Sequence, residues 1–349
     1  MRRLLGIILA LLVLGSGCSG NIPLSERSIV KAVYVDNYAD SYTAGLCVAN
    51  VAGNADTAET DMKIEIYTGS GSTVEQALQQ AEKQQNKQMF YEHNQLLLLG
   101  EGAAAHLKDI SDYFCREDVL KTNMYAVLTS CTVEELQNMQ DSLAQSIASL
   151  EQMMQSGTRD VMLQKRIYEL QKPCGWLPVV TLNADKPQGE LKGVQVYSEN
   201  GLAQQYSDEA MQMLLLLDGA VHKLQWEIGQ HDAKLQFTVE DISLSKSIVA
   251  GKNGPVLQIY LAGNIRHLIE NDLALHDTNK QKQAMERINA YVQQLAQTIL
   301  TQTFGRGEDL FQYSAFFNQY SVQKTQEMKQ LQTLYLPQRV QFISALQCI

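Results

Sequence analysis

The sequence is short of long apolar runs and of positive charge. Its longest apolar run, Leu4–Leu14, has about half of the roughly 20 residues that a helix needs to cross a bilayer. The 28 Lys and Arg residues are outnumbered by 38 Asp and Glu residues, which gives a net charge of −10. Because such a chain lacks the cations that neutralise phosphates, we predict no nucleic-acid partner and no attraction to an anionic membrane surface.

Motifs for catalysis and metal binding are also missing. None of the six histidines lies three or four residues from another, so the sequence offers no helical pair of metal ligands. The motifs GxSxG and HExxH do not occur, and the cysteine spacings fit no zinc pattern. The glycine-rich stretch Gly69–Thr73 is not followed by the Lys-Ser/Thr pair of a phosphate loop. We therefore predict no enzyme activity, no cofactor and no metal site, and we favour binding or coupling.

The first twenty residues have the pattern of a secretory signal that leads to a lipidated cysteine. Two arginines form a positive head, Leu4–Leu14 is the apolar core, and small residues precede Cys18. We predict that residues 1–17 are a cleaved signal peptide and that the Cys18 thiol carries the lipid anchor. The usual lipobox has Leu three residues before the cysteine, where this chain has Gly15. A plain secretory signal with an incidental cysteine, and an uncleaved anchor, are the alternatives.

Five cysteines remain after Cys18 is assigned to the lipid, and these are Cys47, Cys115, Cys131, Cys174 and Cys348. We favour buried thiols without a role, because a free cysteine behaves as a small apolar residue. One disulfide is the alternative, since oxidation is possible outside the membrane, and the sequence does not identify its pair.

The apolar patterning predicts the α+β class, with two to three mixed α/β domains. A tether at 18–30 precedes an N-terminal α/β domain at 31–182. The polar stretch 183–189, which contains a proline, separates it from a C-terminal α+β domain at 190–349. A further division of the second domain near residue 250 is the alternative.

In the first half of the chain, two capping boxes predict where helices begin. Thr73 and Gln76 have the required spacing before one helix, and Thr132 and Glu135 have it before a long helix that extends to Met154. The stretch 95–99, in which Gln95 is followed by four leucines, predicts a strand buried on both faces. Because it follows a strand and a helix, we expect a β-α-β unit with parallel pairing. Strands are predicted at 33–35, 46–51, 63–67, 95–99 and 124–129, and the proline-containing stretch 172–178 interrupts the pattern.

In the second half, Asn200-Gly201 predicts a hairpin and Ser207 predicts a helix start. A long amphipathic helix is expected at 278–303, ended by Gly305, with short helical pieces near Asp309 and Phe316. The last strand is apolar on both faces, so we expect it to be central in its sheet. The predicted strands are 191–197, 224–228, 234–240, 255–261 and 340–349, and the short helix is 208–217.

Several blocks together resemble the Ger(x)C family, the lipoprotein C subunits of spore germinant receptors. The series covers nearly the whole chain after Cys18. Where the family usually has a Trp-Asp-type start after the cysteine, this chain has Ser19-Gly20-Asn21. The matching blocks are 69–78, 90–102, the hairpin at 191–202, the strand 257–269 with Gly263-Asn264-Ile265, and the final strand.

The resemblance implies a protein held by its lipid at the outer leaflet of the spore inner membrane. It implies mixed α/β domains and a role in germination beside two integral-membrane receptor subunits that sense nutrients. Cys18 is the one functional residue that it carries over. The alternatives are a solute-binding lipoprotein of a transporter, which predicts a cleft between two similar lobes, and a cell-wall enzyme, which predicts a pocket with paired carboxylates.

Overall fold

Two mixed sheets with helices packed on them form the protein, which confirms the α+β class. The computed structural model describes residues 27–51, 62–116, 124–156, 162–199, 201–221, 223–229, 234–251, 254–271, 273–313, 315–316 and 340–348. The larger sheet has nine strands and the smaller one five among these residues.

The larger sheet runs in the order β3-β2-β1-β5-β6-β7-β8-β9, and β4 also pairs with β1. Three antiparallel strands come first, β5 to β7 are parallel to β1, and β8 and β9 return antiparallel. The strands are β1 (Arg27–Tyr38), β2 (Ser41–Val51), β3 (Met62–Gly71), β4 (Gln88–Phe90), β5 (Leu96–Leu99), β6 (Tyr125–Thr129), β7 (Cys174–Asn183), β8 (Lys186–Ser198) and β9 (Gly201–Tyr206).

The position of β5 corrects the expected β-α-β unit. The pairing is parallel, as predicted, but its partner is β1 and not β3, which pairs antiparallel with β2. All four leucines of β5 are buried, with Leu97 and Leu99 in one apolar cluster and Leu96 and Leu98 in the other. A strand that is apolar on both faces is stabilised at the sheet centre, where helices cover both sides.

The helices of the first half divide between the two faces of this sheet. Apolar residues of α1 and α2 pack in one cluster, and those of α3 and α4 pack in the other. Thr132 and Glu135 form the predicted capping box, and the predicted long helix is divided at Met139 into α3 and α4. The helices are α1 (Val74–Glu82), α2 (Leu107–Arg116), α3 (Val133–Asn138), α4 (Gln140–Ser156), α5 (Asp208–Leu217) and α6 (Thr278–Gly305), with 3₁₀ turns at Glu101–His106 and Ile167–Gln171.

The smaller sheet has the order β10-β11-β12-β13, and β14 pairs with β12. The predicted face of Leu235, Phe237 and Val239 is buried, and α6 packs across the sheet. One continuous apolar cluster includes residues of both sheets. The strands are β10 (Leu224–Ile228), β11 (Leu235–Gly251), β12 (Gly254–Glu270), β13 (Leu273–Ala274) and β14 (Val340–Cys348).

Two expectations about the sheets differ from the structure. The polar stretch 183–189 is a hairpin between β7 and β8, which pair with each other, so it lies inside the larger sheet. Among the described residues, β14 pairs only with β12, so it is an edge strand and not a central one. Its apolar side chains Val340, Phe342 and Leu346 are buried in the same cluster as the inner face of α6, which explains their pattern.

The end of α6 also differs from the prediction. The helix includes Gly305, and the reversal comes at Gly307, whose φ is +79°. The Gly307 N–H donates to the Phe304 carbonyl and the Glu308 N–H donates to the Thr303 carbonyl, which is a Schellman motif. The helical piece expected at Asp309 is a turn, and the one near Phe316 is described only at residues 313 and 315–316.

Candidate functional site

The predicted lipidation residue lies outside the described part of the chain, and so does the signal peptide at 1–17. The structure therefore gives no geometry for Cys18. The first described residue, Arg27, begins β1, so the last four residues of the stretch expected to be a tether belong to the larger sheet.

All five remaining cysteines are free thiols in the structure. Cys47 and Cys131 are buried, Cys115 and Cys174 are half-buried, and Cys348 is exposed. Burial raises the pKa of the Cys47 thiol to about 12, because the thiolate would have no water around it. Only Cys47 and Cys131 match the expectation of buried thiols, and the expectation of burial is wrong for the exposed Cys348.

Asp36, at the end of β1, holds the turn that follows β5. Its carboxylate accepts hydrogen bonds from the backbone N–H of Ala103 at 3.0 Å and from that of Asn37 at 2.8 Å. A Cβ at Gly100 would collide with the Asp36 carboxyl, and one at Gly102 would collide with the Asn37 carbonyl oxygen. Gly100 and Gly102 are therefore required, because the turn after β5 lies too close to the end of β1 for a side chain at either position.

A cleft of about 850 Å³ lies where the end of α6 meets the larger sheet. Three segments distant in sequence form it: the entry to β7, the β8–β9 hairpin and the turn after α6. Its charged lining residues are Lys172, Glu199, Arg306, Glu308 and Asp309.

Glu308 is the most buried of these charged groups, with 7% of its side chain exposed. Its Oε2 atom lies 4.0 Å from Nε of Arg306 and has no hydrogen-bond partner. Burial raises the pKa of this carboxyl, and the nearby Arg306 guanidinium partly offsets the effect. Sequence reasoning missed Glu308 because it placed the helix end at Gly305, whereas the Schellman glycine is Gly307.

Cys174 lies in the same cleft, and its pKa is raised to about 11. Burial is the main cause, and the negative charges of Asp309 and Glu308 add to it. A thiol held protonated in this way is a poor nucleophile, so the cleft is not built to activate it.

A second concave surface, the α6–β14 groove, has a volume of about 990 Å³ and a different character. Its lining consists mostly of amide and hydroxyl side chains of α6, facing β14. Gln297 donates through Nε2 to the Val340 carbonyl at 3.2 Å and accepts from the Phe342 N–H at 3.4 Å. The helix thus supplies hydrogen bonds to the outer edge of β14.

Within the described ranges, no group of three or more His, Cys, Asp or Glu side chains is arranged to hold a metal ion. No helix among those same residues is long and apolar enough to cross a membrane.

Comparison with known proteins supports the resemblance seen in the sequence. Residues 20–182 match the spore germination protein N-terminal domain. The crystal structure of the GerBC protein has a similar fold, with a TM-score of 0.56 and 12% identity over 91% of this chain and 96% of that chain. No curated protein sequence matches the chain. Residues 20–182 therefore belong to the spore germination protein N-terminal domain family, and the chain has the fold of the GerBC protein.

Proposed function

We propose that this protein is the lipid-anchored C subunit of a nutrient germinant receptor and that it acts without catalysis. The observation that carries the proposal is the combined match, since the germination domain covers 20–182 and the GerBC fold extends over 91% of the chain. The subunit would take part in spore germination together with integral-membrane subunits that sense the nutrient.

The anchor in this proposal is Cys18, which would hold the protein at the outer leaflet of the spore inner membrane. Its support is the sequence of the first eighteen residues, with a positive head, an apolar core and small residues before the cysteine. A lipid on Cys18 confines the folded domains to a thin layer at the membrane. Confinement raises the effective concentration of the protein near membrane partners without any new contact.

A solute-binding lipoprotein is the alternative function, and it predicts a ligand cleft between two similar lobes. Among the described residues the two sheets have nine and five strands and differ in strand order, and the cleft near Glu308 is lined by the larger sheet and the turn after α6. This arrangement gives the alternative less support than the receptor subunit.

The test replaces Cys18 by Ala in the spore-forming host. We expect the C18A protein to leave the membrane fraction and the spores to lose their response to the germinant. Cys115→Ala is the matched control, because Cys115 is a half-buried thiol of α2, and it should leave both properties unchanged. Normal germination with soluble C18A protein would contradict the anchor.

The partner part of the proposal needs a separate measurement. Purification of the native protein from spore membranes in mild detergent should retain the integral-membrane receptor subunits, which mass spectrometry would identify. If the anchored protein is recovered alone while the receptor is intact in the same extract, the proposed assembly is wrong.

A further inference from the structure

Glu308 has one carboxyl oxygen without a donor although its side chain is nine-tenths buried. The Arg306 guanidinium is too far from Oε2 for a hydrogen bond, at 4.0 Å. A buried acceptor left without a partner is destabilising, because it has lost its hydrogen bonds to water. A donor that enters the cleft from outside would remove this penalty.

The backbone around Glu308 makes the position of its side chain well defined. In a Schellman motif the residue after the left-handed glycine commonly makes an apolar contact with the last helical turn. Here that residue is Glu308, which follows Gly307, and its N–H is bonded to the Thr303 carbonyl at 3.1 Å. A carboxyl group therefore occupies a buried place that local structure alone would fill with an apolar side chain.

The cations of the cleft already have other partners. Arg306 donates to the Gln204 side chain at 2.6 Å and to the Gln302 carbonyl at 3.1 Å. Lys172 lies 3.7 Å from a carboxylate oxygen of Glu169. The atom that lacks a hydrogen bond is thus Oε2 of Glu308, which has the Arg306 guanidinium no nearer than 4.0 Å, and a positively charged donor would match its carboxylate.

The remaining walls suit a small organic molecule. The volume of about 850 Å³ is in the range of small-molecule sites, and the lining combines apolar and polar groups. Leu202 presents an exposed apolar side chain on the β8–β9 hairpin, with 40% of its surface accessible. Pro173, Ala203 and Ala315 add further apolar surface, while Ser198 and Gln312 add polar groups.

We propose that this cleft binds a small organic molecule that carries a protonated amino group. The ammonium group pairs with the Glu308 carboxylate, whose buried Oε2 turns toward the cleft to accept its hydrogen bond, and the carbon chain packs against Leu202 and Ala203. Cys18 is not among the lining residues of this cleft, so the experiments on the cleft test a different proposal from those on the anchor.

The test is calorimetric titration of the full mature chain in detergent with propylammonium chloride. We expect saturable binding, no comparable binding of 1-propanol, and affinity reduced at least about tenfold in Glu308→Gln, which corresponds to about 1.4 kcal/mol. Glu101→Gln, at an exposed residue outside the cleft, is the matched control and should bind like the native protein.

A second measurement locates the ligand. Propylammonium should slow alkylation of Cys174, which lines the cleft, and should leave alkylation of Cys115 unchanged. The thermal melting curve of E308Q confirms that the variant is folded. The proposal is overturned if propylammonium does not bind saturably, if 1-propanol binds equally well, or if folded E308Q binds with native affinity.

Discussion

The side-chain amide of Asn289 pairs with the backbone of Leu346 as a residue of a neighbouring strand would. Its Nδ2 donates to the Leu346 carbonyl at 3.2 Å, and its Oδ1 accepts from the Leu346 N–H at 3.0 Å. The amide also donates to the Met285 carbonyl and accepts from the Ser344 hydroxyl, so all four of its hydrogen-bonding positions are used. Because open strand edges invite pairing with other chains, α6 protects β14 by closing this edge.

The first prediction concerns this amide. Asn289→Leu should lower the free energy of unfolding by about 1–3 kcal/mol, because the N–H and carbonyl of Leu346 lose their partners. Gln283→Leu, at an exposed residue of the same helix, should change it by less than about 0.5 kcal/mol. Chemical denaturation of both variants measures the difference. Equal stability of the two proteins would mean that the Asn289 amide does not support the strand edge.

The second prediction concerns the core side of β14. Phe342 is fully buried against the cluster that includes the inner face of α6, whereas its neighbour Gln341 is exposed. Phe342→Ala should lower stability by about 3–5 kcal/mol, because it leaves a cavity. Gln341→Ala should have little effect.

Deletion of the last eight residues removes Phe342 and Leu346 together, so it should destabilise the protein more than F342A does. Thermal melting of the three proteins would show this order, and a truncated protein that melts like the native one would contradict it.

The local features of the fold were predictable because short-range chemistry determines them. Thr132 and Glu135 are three residues apart, and the same spacing produces the same pair of hydrogen bonds wherever it begins a helix. The inner face of α6 follows from helical periodicity, as the buried residues Ala284, Ile288 and Val292 demonstrate. Such features need no knowledge of the rest of the chain.

The pairing of strands depended on contacts distant in sequence, and there prediction was weaker. The sequence of β5 indicates burial on both faces, but it does not identify β1 as the neighbour. The sequence did not predict strand β7, because Pro173 and Pro178 are typical of a break between secondary-structure elements. Strand β7 pairs with β6 only from Val179 onward. The missing N–H of Pro178 therefore costs no hydrogen bond to β6.

The candidate cleft could not be predicted from the sequence either, because it also depends on contacts between residues that are distant along the chain. Its lining residues come from three segments far apart in the sequence, near positions 173, 202 and 308, so no local pattern connects them. Glu308 by itself resembles any charged residue in a polar turn. Its burial depends on the Schellman motif and on the hairpin that packs beside it.

The third prediction concerns the pH dependence that Glu308 creates. Burial raises the pKa of this carboxyl above the value it has in the unfolded chain. Over the pH range between those two values the folded protein binds more protons than the unfolded one, so the contribution of Glu308 to stability falls as pH rises. Glu308→Gln has no ionisable group there and should be free of that loss.

The measurement is the difference in unfolding free energy between E308Q and the native protein across a pH series. The difference should grow in favour of E308Q as pH rises from below about 4.3 through the raised pKa, and then become constant. Glu101→Gln, at an exposed position, serves as the control for removing one negative charge. If the E308Q difference stays flat across the series, the Glu308 carboxyl is not destabilised by its burial.

The fourth prediction compares two glycines at the end of α6. Gly307 has φ of +79°, where a side chain is strained, so Gly307→Ala should destabilise the protein by about 1–2 kcal/mol. Gly305 lies inside the helix, and a Cβ there would meet nothing within 4 Å. Gly305→Ala should therefore be neutral or should stabilise the protein by up to about 1 kcal/mol, because alanine has the higher helix propensity.

Denaturation curves of the G305A and G307A proteins decide between the two possible ends of α6. If G305A were the damaging change and G307A the harmless one, α6 would end at Gly305, and the Schellman motif that positions Glu308 would be wrong.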